Sequence, residues 1–163
     1  MSSATASARI EFPASMIDDE IKQVLADEYG MTFEGDQPKC PDIDIEVEIA
    51  DGLFELHDSG RKYGEFEELE ILLVVKAVPF DRTTGMDWSI EPRLRVYRPG
   101  GVDDSFLLDH ESYEPVVPVA QIRALLVHSN TKRGAAFAIE EWLNDHFPAY
   151  PPLSDYVKED NHG

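Results

Sequence analysis

Residues 42 to 49 alternate strictly between acidic and aliphatic side chains, in the order Asp-Ile-Asp-Ile-Glu-Val-Glu-Ile. This two-residue period is typical of a β-strand with one buried and one exposed face. The pair Asp51-Gly52 that follows is favoured in two-residue hairpin turns. If Ala50 lies opposite Leu53, the apolar side chains of both strands fall on one face. The sequence therefore predicts an antiparallel hairpin in a defined register.

The same register gathers acidic side chains on the other face of the hairpin. It sets Glu48 opposite Glu55 and Glu46 opposite His57. Like charges that face each other directly destabilise a sheet by a few tenths of a kcal/mol. The Glu46–His57 pair is a candidate for acid–base chemistry, but we favour the simpler interpretation, a cross-strand contact that softens the acidic face. An acidic face that exists despite its cost is a candidate binding surface.

The segments before the hairpin predict an arm, a helix and a loop. Residues 1–9 are small and polar and predict a flexible N-terminal arm. Apolar side chains at helical spacing predict a helix over about residues 16–29, with Ser15 as N-cap and Gly30 as left-handed C-terminal residue. Residues 34–41 are rich in proline and glycine and predict a loop.

The segments after the hairpin predict further strands. The apolar run from Glu65 to Val78 is nearly continuous, and this predicts the central strand of the sheet. Residues 88–97 alternate again, and Pro92 predicts that this strand lies at an edge or carries a bulge. Residues 106–108 predict a short fifth strand.

Helical periodicity resumes beyond Pro118 and predicts two helices, or one kinked helix, the last part running from about Thr131 to Phe147. Residues 149–163 predict a tail that docks through three apolar side chains, Tyr150, Leu153 and Tyr156. We therefore expect a single α+β domain over residues 10–148. Its predicted architecture is an antiparallel meander of four to five strands, with an N-terminal helix and two C-terminal helices packed on one face.

Charge excludes several classes of partner. The 163 residues include 33 acidic and 14 basic side chains, a net charge of −19, and residues 10–60 alone carry −13. Binding to nucleic-acid phosphates or to anionic membranes requires clustered lysine and arginine, so we expect neither as a direct partner. The single cysteine, Cys40, provides no disulfide or thiolate zinc site. No signal peptide or membrane-spanning run is evident, which predicts a cytoplasmic protein.

Motifs for catalysis are absent from the sequence, including a nucleophile elbow, a phosphate-binding loop and a dinucleotide fingerprint. This favours a protein without enzymatic activity, cofactor or bound metal, although distant residues can also assemble a site. Asp109-His110-Glu111 is a candidate set of metal ligands, and Thr131–Gly134 is a candidate anion site at a helix start. We interpret the first as an exposed loop or edge strand and the second as a basic turn.

These patterns favour a small acidic module that neutralises or regulates a basic, nucleic-acid-binding protein, as inhibitors, immunity proteins and nucleic-acid mimics do. The candidate partner-binding residues are all acidic: Asp42, Asp44, Glu46, Glu48, Glu55, Glu65, Glu67 and Glu68. One alternative is an acid-rich domain, with or without enzymatic activity, whose charge serves solvation at high salt. Another is a secretion-type chaperone that binds an extended segment. Homodimerisation stays open in each case.

Overall fold

The computed structural model describes residues 4–85 and 89–158. Within these ranges the chain forms eight strands and four α-helices: β1 Thr5–Pro13, α1 Asp19–Tyr29, β2 Thr32–Glu34, β3 Gln37–Lys39, β4 Ile45–Ala50, β5 Leu53–Lys62, α2 Glu67–Val75, β6 Phe80–Thr84, β7 Arg93–Arg98, β8 Val102–Leu107, α3 Val119–Val127 and α4 Lys132–His146. Six of these strands form one antiparallel sheet in the order β4-β5-β1-β6-β7-β8, and β2 pairs with β3 separately. The mixed α+β class is confirmed, whereas the predicted number and arrangement of the strands is not.

The predicted β4–β5 hairpin is present in the predicted register, with Ala50 opposite Leu53. The turn residues Asp51 and Gly52 have positive φ angles of 51° and 77°, as this type of two-residue turn requires. Residues 34–41, predicted as a loop, instead contribute to the β2–β3 hairpin. The strict alternation of residues 42–49, followed by the Asp51-Gly52 turn, was therefore sufficient to predict β4, β5 and their pairing.

Strand β1 lies at the centre of the sheet, so the prediction of a flexible arm over residues 1–9 is wrong for residues 5–9. Residues 1–3 lie outside the described ranges. β1 pairs with β5 on one side and with β6 on the other, and its Ile10 and Phe12 are fully buried. The sheet also buries Ala6 and Ala8, but alanine has too little apolar area to make the alternation evident in the sequence.

The apolar run from Glu65 to Val78 forms helix α2, and the prediction of a central strand there is wrong. Leu69 and Leu73 are buried while Ile71 and Val75 are exposed, which is the period of an amphipathic helix. The first turn of α2 is acidic, and carboxylates there stabilise the positive end of the helix dipole. Those acidic residues are the signal that could have resolved the ambiguity of a short apolar run.

The helices pack on both faces of the sheet, and not on one as predicted. On the face that we call the core face, α1 and α2 pack against β1, β5 and β6, through side chains that include Ile10, Phe12, Phe54, Leu56 and Phe80. On the opposite face, which we call the second face, Phe147 at the end of α4 stacks on Phe106 of β8, with ring centroids 5.3 Å apart. The second face of β4, β5, β1 and β6 lies away from this contact, and we call it the acidic half.

Helix α1 begins later than predicted. Its N-cap is Asp18, whose Oδ1 accepts a hydrogen bond from the backbone N–H of Ile21 at 3.0 Å, whereas Ser15 lies in a preceding 3-10 turn. Gly30 ends the helix with a φ of 64°, in the predicted left-handed conformation. The carboxylate of Asp18, three residues later in the chain, therefore caps the helix in place of the Ser15 hydroxyl.

The later strands and helices are present with shifted bounds. β7 begins at Arg93 and not at residue 88, and residues 86–88 lie outside the described part of the chain. β8 is longer than the predicted strand at 106–108. α3 and α4 are separate helices, and Thr131 caps α4 by accepting a hydrogen bond from the N–H of Gly134 at 2.9 Å.

The C-terminal tail is described as far as Lys158 and contacts the rest of the fold; residues 159–163 lie outside the described ranges. Leu153 is buried, and the Nε of Arg98 donates to the carbonyl oxygen of Pro151 at 2.7 Å. Val157 lies so close to Gly52 that a Cβ atom there would clash with it. The tail thus connects the end of α4 to the turn of the β4–β5 hairpin.

Candidate functional site

A row of carboxylates crosses the acidic half. Glu48 lies opposite Glu55 in the hairpin, as predicted. Glu55 in turn lies opposite Glu11 of β1, and Glu11 lies opposite Asp81 of β6. Directly paired residues share a face and neighbouring strands are about 4.8 Å apart, so this row spans about 14 Å.

Sequence reasoning missed half of this row. Glu11 and Asp81 belong to strands that are far from the hairpin in sequence, and only the order of strands in the sheet brings them together. No local pattern marks either residue. Knowing that β1 lies between β5 and β6 would have been enough to predict both.

Arg9 neutralises the centre of the row. Its Nη2 lies 2.9 Å from Oε1 of Glu11 and 2.6 Å from Oε2 of Glu55. Burial raises the pKa of the Glu11 carboxyl above its ordinary value, and Glu55 and Asp81 add to this rise against the opposing effect of Arg9. At the inner end of the row, Asp81 accepts from Nη1 of Arg98 at 2.8 Å. The row is therefore least compensated at its β4 end.

The β4 end of the row is exposed. Glu46 and Glu48 both face solvent, and no described cation lies within ion-pair distance of either. Glu46 lies opposite His57, as predicted, and both contribute to a shallow depression of about 130 Å³ with Glu48 and Glu55. These carboxylates are free to contact cationic groups from outside the chain.

A larger cavity of about 340 Å³ adjoins the row on the same face. The cavity is lined by His57, Arg9 and Thr83, which follow one another across β5, β1 and β6 in the register next to the row. The hydroxyl-bearing residues Ser7 and Tyr113 also line it. The cavity supplies hydrogen-bonding groups beside the carboxylates, and its residues were not predicted as part of the site.

Asp42 and Asp44 lie in the turn before β4 and not in the strand, where the alternation had placed them. Asp42 Oδ1 accepts a hydrogen bond from the backbone N–H of Asp44 at 3.0 Å, and this bends the chain. Ile43 between them is 93% exposed, so its side chain adds nothing to the core. Both aspartates are exposed next to the outer strand of the row.

Glu65, Glu67 and Glu68 do not extend the hairpin patch, which corrects the prediction. They lie at or before the first turn of α2, which packs on the core face, and they line a separate cavity of about 320 Å³ with Glu28 and Arg61. The error follows from the wrong assignment of this segment as a strand. The eight predicted residues thus divide between two sides of the sheet.

Three of the arginines between residues 82 and 98, Arg82, Arg95 and Arg98, are paired with carboxylates of the fold. Glu70 of α2 is almost fully buried and accepts from Arg82 Nε at 2.9 Å and from Arg95 Nη1 at 2.7 Å. Arg95 also forms paired hydrogen bonds with Asp103, both at 3.0 Å, and these carboxylates raise its pKa. The positive charge is used within the fold, where it attaches α2 to the sheet.

At the weaker candidate sites, the side chains form hydrogen bonds with nearby parts of the chain. Asp109 Oδ1 accepts from the backbone N–H groups of Ser112 and Glu111 at 2.9 and 3.0 Å, which lowers the pKa of its carboxyl. Cys40 donates from Sγ to the carbonyl oxygen of Tyr29 at 3.3 Å. Within the described ranges, no cluster of three or more histidine, cysteine, aspartate or glutamate side chains is arranged to hold a metal ion.

None of the helices in the described part of the chain combines the length and the apolar character needed to cross a bilayer. Comparisons of the chain with protein-family models, with curated proteins and with solved structures find no match.

Proposed function

We propose that this chain is an acidic binding module that engages a basic, nucleic-acid-binding protein through the acidic half of its sheet. The observation that supports this most is the row formed by Glu48, Glu55, Glu11 and Asp81, which a single register aligns across adjacent strands. Asp42, Asp44 and Glu46 add exposed charge at the outer end of the row. The proposed partner contacts this end first.

The cost of the row supports a role in binding. Like charges directly opposed across strands destabilise a sheet; three such pairs adjoin here, and Arg9 and Arg98 offset the repulsion only at the centre and the inner end of the row. A cationic partner would relieve this repulsion on binding. Regularly spaced carboxylates also resemble the charge pattern of a phosphate backbone, which a nucleic-acid-binding groove is built to accept.

The rigidity of the surface favours affinity. The strands that carry the row also supply Ile10, Phe12, Phe54 and Leu56 to the core, and all four are fully buried. The backbone positions that carry the carboxylates are therefore fixed before a partner arrives, which reduces the entropy lost on binding. Complementary potential would in addition raise the association rate and make it sensitive to salt.

Two triple variants with the same change in charge test the proposal. In the first, Glu46, Glu48 and Glu55 are replaced by Gln; in the matched control, Glu65, Glu67 and Glu68 are replaced by Gln. The assay measures displacement of labelled duplex DNA from each of a panel of basic DNA-binding domains. We expect the wild-type chain to displace DNA from at least one domain, and the first variant to require about 10- to 100-fold more protein.

The control variant separates a located surface from bulk charge. It lies on the other side of the sheet, so we expect its displacement curve to stay within about twofold of the wild type. Equal weakening by both variants would contradict the proposal, since it would mean that only total charge matters. Failure of the wild type to displace DNA from any domain would contradict the proposed class of partner.

A further inference from the structure

Helix α3 is apolar on nearly all sides, yet none of its residues is buried. Its sequence, VAQIRALLV, has seven aliphatic residues in nine positions, and Val119, Leu126 and Val127 are 65%, 49% and 79% exposed. Helices of this composition are normally enclosed by other parts of a protein. Short helices also depend on packing for most of their stability. The described part of this chain leaves that packing incomplete.

Further exposed apolar side chains lie on α4 and just before α3. Phe137 is 59% exposed and Leu143 is 37% exposed, and Val116 before α3 is 38% exposed. Of the eleven large apolar side chains exposed in the described ranges, six lie between residues 116 and 143. We call residues 116–147 the C-terminal helical pair. Its apolar surface is the largest concentration of this kind among the described residues.

The C-terminal helical pair is also electrically neutral, in contrast to the rest of the chain. The bases Arg123, Lys132 and Arg133 balance the acids Glu140, Glu141 and Asp145, while the whole chain carries −19. Two copies could approach through this neutral surface without the repulsion that the acidic surfaces of the chain would cause. A basic partner would find no excess of negative charge to bind here.

The charged side chains of α4 are distributed in the opposite way to the one that the helix dipole favours. Lys132 and Arg133 lie in the first turn, where acidic residues are favourable, and Glu140, Glu141 and Asp145 lie in the second half. Around the exposed Phe137, Arg133 lies four residues before and Glu141 four residues after, on the same side of the helix. Each is displaced by about 6 Å along the axis.

We propose that the C-terminal helical pair is the interface between two copies of this chain, which pack antiparallel about a twofold axis near Phe137. In that arrangement, Arg133 lies beside the partner's Glu141, and Glu141 lies beside the partner's Arg133. The apolar side chains of α3 and α4 are covered at the centre of the contact. Such an interface is isologous, because each copy contributes the same surface.

The first experiment measures the mass of the full chain by sedimentation equilibrium between about 1 and 100 μM. We expect a concentration-dependent dimer. Val127→Glu should raise the dissociation constant at least about tenfold by placing a charge in the apolar contact. Val75→Glu is the matched control, because Val75 is the last residue of α2 as Val127 is of α3, and it is 76% exposed. It should leave the dissociation constant within about twofold.

A second experiment tests the antiparallel pairing by reversing charges. One variant carries Lys132→Glu and Arg133→Glu, and the other carries Glu140→Lys and Glu141→Lys. Each should be monomeric alone, because the facing positions 133 and 141 then carry charges of the same sign, whereas an equimolar mixture should form heterodimers. Circular dichroism of each variant checks that the helices are retained.

Three outcomes would overturn the proposal. One is a wild-type chain that is monomeric over the whole concentration range. A monomeric chain that instead binds neutral phosphatidylcholine vesicles through Val127 belongs to this outcome. Another is a dimer that Val75→Glu weakens as much as Val127→Glu. The third is a mixture of the two charge-reversed variants that stays monomeric while both variants remain folded.

Discussion

The two pairs of helices differ in how far the chain itself covers them. In α1 and α2, the residues that face the sheet are buried, including Ile21, Leu25, Leu69 and Leu73. In α3 and α4, only Ala135 is buried among the described residues. The first pair is fixed by its own core, whereas the second has more apolar surface than the described chain covers. Substitutions should therefore have very different effects in the two pairs.

The largest effect is expected at the buried polar contact of the first pair. Glu70→Gln leaves Arg82 and Arg95 without the carboxylate that both contact, and removal of one partner of a buried ion pair costs about 3–5 kcal/mol. Urea unfolding measures the change in free energy. Glu68→Gln, at an exposed position of the same helix, is the control and should change stability by less than about 0.5 kcal/mol. If Glu70→Gln lowers the free energy of unfolding by less than about 1 kcal/mol, the role of this contact is contradicted.

Equivalent truncations of leucine compare the two pairs directly. Leu73→Ala removes a fully buried side chain of α2 and should lower the free energy of unfolding by about 2–5 kcal/mol. Leu126→Ala removes a side chain of α3 that is 49% exposed, and should lower it by less than about 1 kcal/mol. Both are measured by urea unfolding at protein concentrations low enough to keep the chain monomeric. Equal losses would mean that α3 is supported by contacts as extensive as those of α2.

Salt distinguishes a binding surface from a surface adapted to high salt. Screening of the carboxylates in the acidic half should raise the melting temperature by about 2–4 °C, which corresponds to about 1 kcal/mol. The increase should level off above a few tenths molar KCl, where the Debye length is already short. Thermal melting in a KCl series measures it, and the variant with Gln at residues 46, 48 and 55 should respond less. A continued rise towards molar KCl would favour the alternative of high-salt solvation.

The smallest effect is expected within the row of carboxylates. Glu11→Gln should stabilise the chain at pH 7 by a few tenths of a kcal/mol, because it removes a carboxylate whose charge is disfavoured by burial and by Glu55 and Asp81 more than it is stabilised by Arg9. The pKa of Glu11 is raised in the folded state, so the folded chain holds this proton more tightly than the unfolded chain. Wild type therefore loses stability relative to the variant as the pH rises through the pKa of folded Glu11. Below the unfolded pKa, near about 4, this contribution to the difference should disappear.

Thermal or urea unfolding of both chains between pH 3 and pH 8 checks this sign. Glu67→Gln is the control, because Glu67 lies at an exposed position of α2, outside the row. A gain for Glu11→Gln that is larger at low pH than at neutral pH would contradict the prediction.

Local sequence pattern was sufficient to predict an element when that element is defined by its own residues. The alternation before Asp51-Gly52 predicted both the hairpin and its pairing, because the turn fixes which residues face each other. The start of α4 near Thr131 and the left-handed Gly30 were likewise predicted from the residues at those positions.

Local sequence pattern failed to predict the features whose position depends on distant segments of the chain. Strand β1 has weak apolar character of its own and becomes central only because β5 and β6 pair with it. The row of carboxylates depends on that position, and so Glu11 and Asp81 could not be inferred. The apolar run in α2 is by itself compatible with a strand or a helix, and only the acidic residues at its start favour the helix.

The position of Arg9 has a consequence for selectivity. Its guanidinium already contacts Glu11 and Glu55, so a cation that approaches the centre of the row competes with a group that is permanently attached. Small polyamines supply only positive charge and leave a displaced Arg9 without an acceptor. A folded partner can place a hydrogen-bond acceptor next to its own cations and so accommodate the arginine. In the proposed interaction, one built-in counter-ion would thus discriminate against the abundant small cations of a cell and favour a shaped protein surface.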